Sequence, residues 1–165
     1  MCLQFQYMII RELQYNDNLK IAKVIRQVFI DNQLPKTGTA FADIHLDSLF
    51  EVYNVPKAIY FVVENEGEII GGCGIAQLDN SDENICELQK MYFLPEARGL
   101  GMGFKMMQLC LQKATEYGFE NIYLETLPEM IDAQKLYKKV GFDYISQPKG
   151  NTGHSTCPVW MLKKL

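Results

Sequence analysis

Residues 98–103 read Arg-Gly-Leu-Gly-Met-Gly, an arginine followed by glycines at alternate positions, Gly99, Gly101 and Gly103. Alternate glycines forgo side-chain contacts and raise the entropy cost of ordering the chain. Pro95 precedes them, and a run of helix formers from Phe104 follows. At a helix start the first N–H groups lack intrahelical partners and the helix dipole is positive. Bare backbone lets an anion approach those groups closely. The segment therefore suits a pyrophosphate; a tight strand-to-helix turn without a ligand is the other reading of the same glycines. A P-loop is excluded, because Gly103 is followed by Phe104 and not by Lys and then Ser or Thr. A dinucleotide fingerprint spaces its glycines G-x-G-x-x-G at the start of a βαβ unit, and the spacing here is G-x-G-x-G.

A candidate base lies upstream, in "NICELQKMYF". Period-two alternation puts Ile85, Glu87, Gln89, Met91 and Phe93 on one strand face. Glu87 then sits among apolar neighbours, where desolvation raises a carboxyl's pKa toward that of a working general base. The alternative is a surface glutamate near a strand end. Downstream, Ala133, Leu136, Tyr137 and Val140 recur at helical spacing, so Tyr137 lies on an apolar helix face. His154 stands in the polar run "GNTGHSTC" and reads as a solvent-exposed loop residue. His45 reads as a helix flank. Asp43, Asp47 and Glu51 form one acidic helix face, expected to be solvated and able to attract a cationic acceptor if it borders the cleft.

The elements that must position these residues alternate in type. "MIIREL" reads as a strand, and Asp17 or Asn18 as the cap of a helix reaching Asn32, with Ile21, Val24, Ile25 and Val28 as its apolar stripe. Pro35 and Gly38 break the chain, and a second helix is expected from Ala40 to Tyr53. "AIYFVVEN" and "EIIGGCGIAQL" form a hairpin turning at Gly67, and the strand bearing Glu87 stops at Pro95. A helix over 104–117 closes at Gly118, with Met107, Cys110, Leu111 and Ala114 as core. "NIYLETL" is a strand, Pro128 and Glu129 open a helix that ends at Gly141, and "FDYISQ" and "VWMLKKL" close the chain as two strands. Mixed helices and strands with an antiparallel middle give an α+β (mixed α/β) class.

Composition limits the function. A chain of 165 residues is most simply one domain with a real core. A net charge of −4 argues against nonspecific nucleic-acid binding. The opening lacks the basic residues of a secretory signal, and no apolar run approaches the roughly 20 residues that span a bilayer. The five cysteines, Cys2, Cys73, Cys86, Cys110 and Cys157, form no C-x-x-C pair, and two histidines do not suggest a zinc site. They are expected as reduced thiols in a cytoplasmic protein.

Read from Arg98, the loop is Arg-x-x-Gly-x-Gly, through Gly101 and Gly103. It resembles the pyrophosphate signature of the N-acetyltransferases of the GNAT family, Gln/Arg-x-x-Gly-x-Gly/Ala. "ELQKMYFLPEARGLGMGFKMM" is similar to that family's fourth strand, loop and third helix, and "NIYLETL…AQKLYKKVGFDYI" to its fifth strand, fourth helix and sixth strand. The resemblance is specific over about residues 58–145. It implies one N-acetyltransferase domain over 1–165, with a mixed, mostly antiparallel sheet splayed between its fourth and fifth strands and about four flanking helices. It also implies acetyl-CoA as donor, a small-molecule or peptide amine as acceptor, no metal, and a homodimer. Met91, Tyr92 and Phe93 would pair through their backbone with the pantetheine arm. The loop Arg98, Gly99, Leu100, Gly101, Met102, Gly103 and Phe104 would take the pyrophosphate, and Ala133 would border the cofactor. Where the family uses a glutamate base on the fourth strand, it lies eleven residues before the signature Gln/Arg, which here is Glu87. Tyr137 corresponds to a tyrosine that protonates the departing thiolate. One departure is Met130, where the family often has Asn. A catalytically silent acyl-CoA sensor and a protein-interaction module on the same fold are the alternative functions.

Overall fold

The computed structural model describes residues 7–81 and 84–165, so Cys2 lies outside the described residues. Seven strands form one sheet: β1 (Met8–Glu12), β2 (Ile59–Asn65), β3 (Glu68–Gln77), β4 (Ile85–Phe93), β5 (Asn121–Thr126), β6 (Asp143–Tyr144) and β7 (Val159–Lys164). Their order is β1-β2-β3-β4-β5-β7-β6, and among the described residues β4–β5 is the only parallel pair. That pair holds only from Ile85↔Asn121 to Glu87↔Tyr123. Beyond Glu87 the two strands part, which is the splay implied by the resemblance.

Four helices cover the sheet: α1 (Asn18–Asp31), α2 (Leu49–Tyr53), α3 (Met102–Glu116) and α4 (Ile131–Lys139). On one side, the α1 stripe Ile21, Val24 and Ile25, extended by Phe29, packs with Tyr60, Val62 and Leu127. On the other, Met106, Met107, Cys110 and Ala114 of α3 pack with Cys86, Leu88, Ile122 and Phe142. Leu111, expected in that stripe, is only partly buried, and Met106 takes its place.

Three expectations fail for physical reasons. Residues 40–53 are not one helix. They form two single turns, Ala40–Ala42 and Leu46–Ser48, before the short α2. Asp43 breaks the run with extended backbone at ψ 126°. The expected acidic face is therefore absent: Asp43 bonds His154, Asp47 bonds Arg26, and Glu51 bonds Asn18. Second, Asp17 occupies the N-cap position of α1 without capping it, because its carboxylate is taken by Arg11 and by the Gln14 N–H. Third, α3 begins at Met102, two residues before Phe104, and α4 begins at Ile131 after a turn at Pro128. Among the described residues no helix is long and apolar enough to cross a membrane.

Candidate active site

β4 does not alternate as its sequence suggests. Lys90 has a φ of +49°, and the pairs Gly74↔Gln89 and Gly72↔Tyr92 leave one extra residue on β4. This β-bulge reverses the faces beyond it. Glu87 and Gln89 therefore do not share a face with Met91 and Phe93. Met91 and Phe93 turn to the α3 side, while Tyr92 turns to α1 and packs 5.1 Å from Phe29. The Tyr60 hydroxyl donates to the Lys90 carbonyl at 2.7 Å and holds the bulge. Room for the Tyr60 ring comes from β3, where a Cβ on Gly72 or Gly74 would press to 2.5 or 2.6 Å from it.

The glycine loop follows β4. Arg98 Nε and Nη2 donate to the Phe93 carbonyl over 3.1 and 2.9 Å, tying the loop to the strand end. Gly99 and Gly101 have φ values of +72° and +73°, where a side chain costs about 1–2 kcal/mol. A Cβ at either would meet nothing within 4 Å. Gly101 caps α3, and its carbonyl accepts from the Lys105 N–H at 3.0 Å. The N–H groups of residues 99–104 find no acceptor among the described residues. The loop borders a cleft of about 460 Å³ between β4, α3 and α4. Met91, Tyr92, Phe93, Arg98, Gly99, Gly101, Met102, Gly103, Phe104 and Ala133 all line it. Leu100 does not, and it is 49% exposed. Met130, at the N-cap of α4, lines the cleft too. The turn there takes its polar contact from Gln134, whose Nε2 donates to the Leu127 carbonyl at 3.0 Å.

Glu87 sits where the splay opens and is 5% exposed. Burial pushes its carboxyl from 4.5 up to about 7; the Gln89 hydrogen bond and the charges of His154 and Lys90 pull it down less strongly. Gln89 Nε2 donates to Glu87 Oε2, and Gln89 Oε1 accepts the Tyr53 hydroxyl at 2.6 Å. Glu87 borders a small chamber also lined by Lys90, Glu125, Tyr137, His154 and Cys157. Tyr137 is buried, its ring 5.9 Å from Phe142, and no hydrogen bond from its hydroxyl is found among the described residues. Burial raises its phenol above the usual value, so it is neutral at physiological pH.

His154 is not the solvent-exposed residue expected from its loop. Its side chain is 14% exposed, and Nε2 lies 3.0 Å from Asp43 Oδ1. Lys90 Nζ meets the other oxygen of Asp43 at 2.7 Å. Burial would raise the Asp43 carboxyl, but the His154 hydrogen bond and the Lys90 ammonium outweigh it and hold it below the usual range. Tyr53, Asp43, Lys90 and Glu125 carry no local signal that would place them here, since the contacts join residues far apart in sequence. Gln89 could have been found, because it follows Glu87 by two on one strand face. Among the described residues no group of three or more His, Cys, Asp or Glu is placed to hold a metal ion.

The comparisons with known proteins agree with this architecture. The model of the acetyltransferase (GNAT) family matches residues 25–142. An uncharacterized N-acetyltransferase of Escherichia coli (strain K12), YjgM, is 46% identical over 158 residues, 95% of each chain. A GNAT-family acetyltransferase from Staphylococcus aureus Mu50 superposes with a TM-score of 0.79 at 20% identity, over 96% of this chain and 99% of that one. The yncA protein of Salmonella typhimurium, solved with its cofactor acetyl-CoA, gives a TM-score of 0.76 at 17% identity, over 96% and 94%. The chain belongs to the acetyltransferase (GNAT) family.

Proposed function

We propose that this acetyltransferase moves an acetyl group from acetyl-CoA to an amine by direct attack, with Glu87 as the general base and Tyr137 as the acid. The observation that carries the reading is the position of Glu87: a buried carboxyl titrating near 7 at the mouth of the β4–β5 splay, next to a cleft built for an anionic cofactor. The cleft fits that cofactor. Six successive N–H groups without protein acceptors suit a pyrophosphate, and the open space over Gly99 and Gly101 lets it approach. Beyond Glu87, β4 pairs with no strand on its β5 side among the described residues, and apart from the Lys90 and Phe93 carbonyls, held by Tyr60 and Arg98, its backbone is open to a pantetheine arm.

Acetyl-CoA supplies an electrophilic thioester carbon. An ammonium cannot attack it, so the amine reacts in its neutral form, and Glu87, ionised near neutral pH, takes the proton that the attacking nitrogen gives up, directly or through a water in the chamber, and returns it to solvent. As the carbon–nitrogen bond forms and the carbon–sulfur bond breaks, the neutral Tyr137 hydroxyl gives its proton to the departing sulfur and regains one from solvent. Free thiols at Cys73, Cys86, Cys110 and Cys157 support a reducing, cytoplasmic setting.

Two measurements test this. Calorimetry should show acetyl-CoA binding, and a panel of primary amines should release free CoA thiol. Binding without thiol release from any amine would leave an acyl-CoA sensor in place of the enzyme.

A further inference from the structure

The chamber beside Glu87 holds about 40 Å³, against about 460 Å³ in the cofactor cleft. That is room for a few waters and not for an amine of ordinary size. The connection between β6 and β7 brings His154 and Cys157 into the chamber's lining and crosses the splay like a strap. Asn151 N–H donates to the Asp79 carbonyl at 2.7 Å, and Thr156 N–H to the Gly38 carbonyl at 3.2 Å. Between them, Thr152 Oγ1 donates to Glu125 Oε2 at 2.6 Å, and His154 Nε2 meets Asp43 at 3.0 Å. No residue from 146 to 158 is fully buried. Cys157 packs against the core only partly buried, and the strap is otherwise held by polar contacts, the kind of segment that opens locally at low free-energy cost.

We infer that residues 146–158 are an acceptor gate, latched by His154 to Asp43 and by Thr152 to Glu125, which must lift before an amine reaches Glu87. The inference rests on Glu87 being the base, but the lifting itself does not. The two latches end on carboxylates that keep other partners when the strap leaves: Lys90 stays on Asp43, and the Tyr123 hydroxyl stays on Glu125. Opening thus strands no buried carboxylate, so the closed and open states can lie close in free energy. His154 and Thr152 act as positioning residues, setting how often and how far the acceptor side opens.

Cys157 is a built-in reporter. It lies in the strap, lines the chamber and is only partly exposed, so lifting of the strap shows as alkylation faster than the parent's own rate, while Cys73, Cys86 and Cys110 are completely buried. Alkylation of the full chain by iodoacetamide, mapped to Cys157 by peptide mass spectrometry, measures opening without any acetyl transfer. His154→Ala and Thr152→Ala should each speed it by about tenfold or more, as expected when a minor open state gains population. Wild-type rates in both variants would overturn the gate, and either variant alone suffices if the other fails to fold. A second arm compares hydroxylamine with benzylamine as acceptors. Unlatching should raise kcat/KM for benzylamine relative to hydroxylamine by about tenfold, and an unchanged ratio in an active enzyme overturns the gate. Faster Cys157 alkylation with no thiol release from either amine in wild type or variants would keep the gate and count against the acetyl-transfer reading.

Discussion

Gln89 Nε2 lies 2.7 Å from Glu87 Oε2 and donates to it. Its orientation is fixed from behind, because the Tyr53 hydroxyl donates to the oxygen of the same amide. The bond favours the ionised carboxylate and so opposes the burial that lifts Glu87 to about 7. kcat/KM should therefore rise with pH and level off above an inflection near 7. Gln89→Leu keeps bulk and removes the donor, so the inflection should move up by roughly one unit, the equivalent of one hydrogen bond to a charged group. An unmoved inflection would show that the carboxylate governing the profile is not the one Gln89 touches.

Removing the carboxyl itself separates chemistry from stability. Glu87→Gln should bind acetyl-CoA as the parent does while turnover at neutral pH drops by about 10² to 10⁴. The loss should shrink at high pH, where more of the amine is already neutral. Stability moves the other way. The folded-state pKa of Glu87 is raised from 4.5 to about 7, so its stabilising contribution is full below about 4.5 and is lost as pH rises through 7. Near pH 8 the buried carboxylate weakens the fold by on the order of 3 kcal/mol relative to acid. Glutamine carries no charge, so the variant should melt higher than the parent near pH 8, with the gap closing towards pH 5. Equal melting temperatures at both pH values would place Glu87 in water, not in the core.

The fold was largely legible because its signals are local. The α1 stripe, the hairpin at Gly67 and the loop beginning at Arg98 each lie within a few residues, and each appears where the sequence puts it. The site was legible only in part. Glu87 and the glycine loop sit on one continuous stretch, but the bulge at Lys90 depends on Tyr60, thirty residues upstream, bonding its carbonyl. A period-two count carried past Lys90 therefore assigns Met91 and Phe93 to the wrong face. His154 was misplaced for the same reason: its partner Asp43 is 111 residues away, in a segment whose spacing looks helical and whose tertiary bonds unwind it.

The glycine loop predicts a sharp loss for a single methyl group. Gly101 has a φ of +73°, and a Cβ there would meet no protein atom within 4 Å. In Gly101→Ala the backbone conformation costs about 1–2 kcal/mol, and the chain should still fold. The new methyl would project into the space where an anion contacts the free N–H groups. Acetyl-CoA affinity measured by calorimetry should fall by more than about tenfold, or roughly 1.4 kcal/mol. A folded variant with parental affinity would mean that the pyrophosphate is held elsewhere.

Tyr137 gives the most selective test of the acid. Its ring is core, packed near Phe142 and almost fully buried. Its hydroxyl is a different matter, since it bonds no group among the described residues, and the residue lines the same chamber as Glu87. The oxygen is not sealed off from solvent, so a reacting group can reach it. Phenylalanine preserves the ring and its packing and deletes only the oxygen. If the hydroxyl hydrogen-bonds the departing sulfur and passes it a proton, its stabilisation exists mainly in the transition state. Tyr137→Phe should then lower kcat by about tenfold or more, with acetyl-CoA affinity and melting temperature nearly unchanged. Because the phenol is raised further by burial, the parent should also show no loss of activity from its ionisation below about pH 9. A variant that melts markedly lower while keeping its kcat would make the hydroxyl structural and return the search for the acid to the remaining groups of the chamber.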